Sequence, residues 1–313
     1  MRRVVITLTM MLGAASLAAQ EPQCNTIDPN ATAACNTAVD AVRAFHPLAG
    51  MLISGGNPVL GTAGSLGGAG HLSLTARLNV IKAALPNPDS ASQPSVPSSF
   101  NGAVPAPIVE AGLGLYRGTT LGLLSIDALG SAVLLPTGGI SNLSVDSGAT
   151  HIGSVALGLG YGVRVGALRG SFPVPSVSVS YMRRTIPRLQ YGDLASGNEF
   201  EFDTDLKADN YRVEAGWRFV LVDLAAGLGI DHYSSTAHIR FHDTPTTVRT
   251  VSLDLANTRQ VLFVDAGLSL ALVKLVGEVG YQTGKDQKLT TNFSDFDPKA
   301  GHVFGGLGIR FGF

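Results

Sequence analysis

Behind its first 20 residues the chain has no run of 18 apolar residues, so it holds no helix able to cross a bilayer. Charge is scarce too. Asp, Glu, Lys and Arg make up 14% of the 313 residues and the net charge is −1, which excludes the basic face that nucleic acid requires. So few charges cannot cover an ordinary water-facing surface. Lipid can cover what water cannot, and the membrane reading must then run through strands. There are two cysteines, Cys24 and Cys35. An even pair in an exported chain reads as one disulfide, and without a nearby His pair a metal site is the weaker reading.

Several sites are missing as well. The G-x-G pieces at Gly112/Gly114, Gly158/Gly160/Gly162 and Gly227/Gly229 lack the strand-to-helix context of a nucleotide cradle. Asp203, Asp205 and Asp209 lack the central Gly and terminal Glu of a calcium loop and read as a solvated hairpin tip. The histidines show no ligand spacing. Asp231, His232, Ser234 and Ser235 hold the residue types of a hydrolase, but adjacent strand residues face opposite ways, so Asp231 and His232 cannot share the lumen. The sequence therefore argues for no catalytic residue, no metal and no cofactor.

What is present begins with residues 1–19, where Arg2 and Arg3 precede an apolar core and small residues. This reads as a secretory signal peptide cleaved near Ala18 or Ala19. Glu21, Pro22 and Gln23 ahead of Cys24 do not fit a lipoprotein signal. Residues 31–45 carry helix formers with spaced Val39, Val42 and Phe45, which predicts a short helix within a disulfide-stapled segment, 20–70. That segment is expected at the periplasmic mouth or inside a barrel as a plug. Residues 51–54 could form a short strand.

From His71 onward a period of two dominates. In 72–80 Leu72, Leu74, Ala76, Leu78 and Val80 oppose Ser73, Thr75, Arg77 and Asn79. Similar alternation recurs through 108–116, 152–165, 176–190, 211–219, 224–230, 262–270 and 275–289, and in the final GHVFGGLGIRFGF. Residues 86–107, with six prolines, read as a long loop, and 199–210 as a projection into water. The pattern predicts an all-β, transmembrane, antiparallel up-and-down barrel over 71–313 with ten strands, or twelve if 51–54 and a second piece before His71 join the wall. Both termini of the barrel would be periplasmic.

The face opposite the aliphatics carries Arg77, Glu110, Asp127, Arg164, Arg212, Glu214, Arg218, Asp231, Asp265, Glu278 and Arg310, the candidate lumen lining. Charges of both signs in a narrow barrel must pair, which seals the lumen, or else line a polar channel. Inward glycines leave space that the N-terminal segment could fill.

Ending on Phe311 and Phe313 behind a signal peptide, the chain resembles uncharacterised Gram-negative outer-membrane β-barrel proteins. The resemblance implies outer-membrane localisation, contact with outer-membrane lipid and recognition of the C-terminal Phe by the barrel assembly machinery. It carries over no activity. The first reading is a passive channel or small-solute transporter with a narrow or plugged lumen; the alternative is a closed structural or adhesive barrel working through its outer loops, and an outer-membrane hydrolase is the minor alternative.

Overall fold

The computed structural model describes residues 21–119, 123–148, 151–170 and 172–313; the expected signal peptide lies outside them. Among the described residues one α-helix, α1 (Pro29–Ser54), precedes twelve strands: β1 (Leu72–Pro86), β2 (Ser98–Tyr116), β3 (Ser125–Pro136), β4 (Leu143–Val145), β5 (His151–Ile152), β6 (Val155–Leu168), β7 (Ser176–Tyr191), β8 (Phe200–Arg218), β9 (Val222–Thr244), β10 (Thr247–Leu270), β11 (Val273–Gln282) and β12 (His302–Gly312). Ten of them close a ring of antiparallel ladders, with β12 returning to β1. The two short strands, β4 and β5, hang on β7 and β6. The twelve strands are thus not the expected alternative, because Met51 to Ser54 form the last turn of α1.

Connections at the end where Phe313 pairs with Leu72 include the short 219–221 and 271–272, while those at the other end include the longer 87–97, 137–154 and 283–301. Short turns mark the periplasmic end and long loops the outer end. Residues 98–107 are not loop. They extend β2 outward beside β1 only, and Pro105 and Pro107 are tolerated because that stretch has no second neighbour to receive an N–H.

The period-two pattern inverts partway up the tall strands. On β9, Leu224, Leu228 and Ile230 face outward and are exposed; beyond Ile230 the same face carries His232, Thr236 and Arg240, while Tyr233, Ile239 and Phe241 are buried inside. On β8 the switch falls between Tyr211 and Asp209, with Phe200, Phe202 and Leu206 buried above it. On β10 it falls between Leu262 and Gln260. An aliphatic face that stays exposed, Leu228 and Leu262 at 56% and Leu307 at 75%, is stable only against hydrocarbon. Above the inversion water lies outside and an apolar core inside. The protein is an outer-membrane β-barrel whose wall continues outward as a water-soluble extension. Of residues 199–210, those from Phe200 onward do reach into water, but as paired strand, not as a hairpin tip.

The extension has a core because α1 fills it. Asp28 caps the helix by accepting from Asn30 N at 2.9 Å, Pro29 stands at the first helical position, and Gly55, at φ +59°, ends it. The helix runs well past the expected 31–45, continuing through Pro47. It is buried on every face from Ala44 to Ser54, the signature of a core helix. Its N-terminal end lies among the outer loops: Thr37 Oγ1 donates to Ala91 O at 2.8 Å, and Asp40 accepts from Thr290 N at 2.7 Å. The chain then descends the lumen and enters β1 from the periplasmic side. The start of the described segment therefore sits at the outer mouth and the rest of it, from α1 to residue 70, lies inside the barrel. The Cys24–Cys35 disulfide ties the short 3-10 turn before α1, Pro22–Cys24, to the first turns of the helix there.

Candidate functional site

Where α1 ends, the lumen changes from apolar to charged. Above, Phe45 packs on Phe202 with ring centres 6.2 Å apart, and Ile53, Met51 and Val42 are fully buried among strand side chains. Below, carbonyls at the helix end and just beyond it meet donors from the wall. Arg212 Nη2 donates to Gly55 O at 2.9 Å and its Nε to Gly56 O at 2.9 Å. Arg77 Nη2 donates to Ser54 O at 3.2 Å, and Asn79 Nδ2 to Leu52 O at 3.1 Å. Cations at the negative end of a helix are favoured by its dipole as well.

Carboxylates answer the cations. Arg77 bridges Glu110 at 3.0 Å and Glu278 at 3.2 Å; Arg184 joins Glu110 at 3.2 Å; Arg212 pairs with Asp231 at 2.6 Å; Arg164 pairs with Asp127 at 2.9 Å. The descending segment supplies the remaining donors. Glu278 accepts from the backbone N–H of Gly56 and Asn57, Asp265 from Gly61 N at 2.9 Å and Asn57 Nδ2 at 3.0 Å, and Asp127 from Leu66 N. Arg310 donates to Ser73 Oγ and Leu60 O, while Glu214 accepts from Ser178 and Ser180 at 3.4 Å. Buried charges persist only when paired in this way.

Ten of the eleven candidate residues are buried and inward-facing, and all of them but Glu110, Glu214 and Asp231 bond the descending chain. Arg218 is the exception. Its side chain is 62% exposed at the periplasmic rim, paired with Asp223 at 3.0 Å, because it ends its strand where the lumen opens to water. Three members escaped the sequence reading: Arg184, Asn210 and Tyr233. Arg184 shares the parity of the inward Ser178 and Ser180, and Asn210 that of Arg212, so alternation carried the signal for both.

Glycines at the lining make room for the segment. A Cβ on Gly114 would stand 2.3 Å from Gly68 O, and one on Gly112 would stand 2.9 Å from Leu66 Cδ1. Asp231 and His232 are not brought together: Asp231 is buried, whereas His232 faces out to Thr258. Asp203 pairs with Arg188 and His238, and Asp209 with Arg183. Among the described residues no three His, Cys, Asp or Glu side chains could hold a metal ion together. Chemically, the arrangement clamps chain to chain.

No family model and no curated protein matches the chain. Among solved structures, the outer membrane protease OmpT of Escherichia coli is similar at 12% identity over 78% of this chain and 95% of its own, with a TM-score of 0.40. The translocator domain of the autotransporter NalP from Neisseria meningitidis is similar at 11% identity over 87% and 97%, TM-score 0.42. Ail, the attachment invasion locus protein of Yersinia pestis, is similar at 11% over 78% and 99%, TM-score 0.31.

Proposed function

We propose that this protein is a closed outer-membrane barrel that works through its outer extension, with its own N-terminal helix as a permanent core. The observation that supports this reading is the burial of α1 on all faces from Ala44 to Ser54, above a lumen in which the 55–66 turn bonds Arg77, Asp127, Arg212, Asp265, Glu278 and Arg310. A helix that only gated a pore would keep a polar face toward the path it closes. Passive solute passage, the other role open from the sequence, requires α1 to leave. The reading assigns the chain no catalytic step. Phe311 and Phe313, outward at the periplasmic end, are assigned to recognition by the assembly machinery and to lipid contact. Planar-bilayer recording of the purified protein tests it. The expected result is no steady single-channel steps from protein that still shifts its gel mobility on heating; steady steps from that same folded material would overturn it.

A further inference from the structure

We propose that the barrel wall holds a lateral site for the end of a lipid acyl chain, behind residues 137–145; this goes beyond a surface role and does not depend on it. β3 and β6 end together at the Pro136–Val155 pair, while β2 and β7 on either side continue to Ser98 and Tyr191. The wall therefore has a notch. The β6–β7 ladder stops at Leu159–Thr185, and the β3–β6 connection fills the space above: β4 lies along β7, and β5 folds back on β6. Among the described residues no ladder joins β4 to β5, so side chains and not backbone pairing close the wall here.

The side chains that close it are apolar. Ile140, Leu143 and Val145 pack inward against the core of the extension. Behind them lies a cavity of about 40 Å³ bounded by Leu48 and Leu52 of α1 and by Phe100, Leu135, Leu143 and Leu189. Thr137, the polar side chain at its edge, is already committed to Ser154 O. An apolar cavity of this kind stays dry and accepts apolar occupants. At one water per roughly 10–15 Å³ the space takes about three heavy atoms, the end of a chain and not a whole molecule.

The occupant follows from what lies next to the notch. Leu134 and Leu159 on the outer surface of β3 and β6 are 37% and 60% exposed, and Ile152 of β5 is 68% exposed. They belong to the lipid-facing aliphatic surface, so an acyl chain of the outer leaflet reaches the notch without crossing water. The hydrogen bond from Ser141 Oγ to Ser99 O at 3.1 Å holds one flank of the cover and is exposed, so it exchanges readily for water when the cover lifts.

Vesicles containing a phospholipid with a diazirine at the terminal carbon of one acyl chain supply the test, with a diazirine fatty acid in a parallel arm. After irradiation, peptide mapping should place adducts on Phe100, Leu143 or Leu189. Ala83→Leu, which fills the cavity, should lower them by about five-fold, and Leu143→Ala, which enlarges it, should raise them about two-fold. Both variants are checked for heat-modifiable folding, and the second stands alone if the first does not fold. Adducts confined to the outward Leu134 and Leu159, or interior adducts indifferent to the cavity variants, overturn the site. Labelling by the fatty acid alone overturns the phospholipid as its source.

Discussion

The ring of Tyr233 lies against Gly50 of the helix while its hydroxyl donates to the Asp231 carboxylate at 2.9 Å. One residue thereby spans the level at which the wall inverts. Its ring belongs to the apolar core above and its oxygen to the charged cluster below, where it also accepts from Gln282 Nε2 at 2.7 Å. Helix seating and charge pairing are coupled through this contact.

Close approach makes Gly50 the sensitive point of that coupling. A Cβ there would stand 2.4 Å from Tyr233 Cε1, so Gly50→Val must displace either ring or helix. Overpacking of this kind costs about 1–3 kcal/mol. The expected outcome is a lower unfolding temperature and faster protease cleavage within residues 29–54, with barrel mobility on gels retained. Wild-type protease resistance would show that the helix is not held by this contact.

Arg212 gives a second handle, since it serves both Asp231 and the carbonyls of Gly55 and Gly56 just past the helix. Removing one partner of a buried pair costs about 3–5 kcal/mol, because the other charge stays buried alone. Arg212→Leu should therefore destabilise strongly, and adding Asp231→Asn should recover part of the loss by removing the stranded anion. Measured by urea unfolding in detergent, an additive double variant would contradict the pairing.

Which face of each strand meets lipid was legible wherever aliphatics alternate with Gly and polar residues, as in 211–219 and 262–270. The inversion above Tyr211 and Ile230 was not, because the period stays two on both sides and only the identity of the apolar set changes. Glu199 to Asn210 therefore read as a projection without a core. The helix was legible to Phe45; beyond it, Pro47 signals a break, and a fully buried run such as 48–54 looks alike as helix or strand. Parity would have recovered Arg184. It could not have separated Arg218 from Arg212, since alternation gives the face of a residue and not its depth.

His46 carries a pH dependence. Burial in the core of the extension lowers its pKa from 6.5 to about 4, against a backbone hydrogen bond at Ser234 and the Asp205 charge, which both raise it. The folded state thus refuses a proton that the unfolded state accepts. Stability is intact above pH 6.5 and falls as the pH drops from there toward 4, by about 3 kcal/mol at the lower limit. His46→Leu should remove that portion of the loss when unfolding temperatures at pH 7.5 and 4.5 are compared. Equal losses in the two proteins would place the acid sensitivity elsewhere.

The threading of the chain makes a topological prediction. Arg249, near the tip of the β9–β10 hairpin, donates to Asn25 O at 3.0 Å, and Arg43 binds Glu21, so the chain ahead of α1 lies among the outer loops. The Cys24–Cys35 disulfide closes a loop of this length against the helix start and restrains it by about 3 kcal/mol in the chain-entropy account. An epitope inserted between Glu21 and Pro22 should bind antibody on intact cells, whereas the same epitope between Ala271 and Leu272 should bind only after permeabilisation. The helix enters the barrel from the outer side, so an N-terminal epitope hidden until the membrane is breached would mean that α1 is threaded the other way. Loss of both signals together with heat-modifiable folding would indicate failed assembly, and a surface-labelled Val248→Cys variant in a Cys24→Ser, Cys35→Ser background then reports the outer hairpin independently.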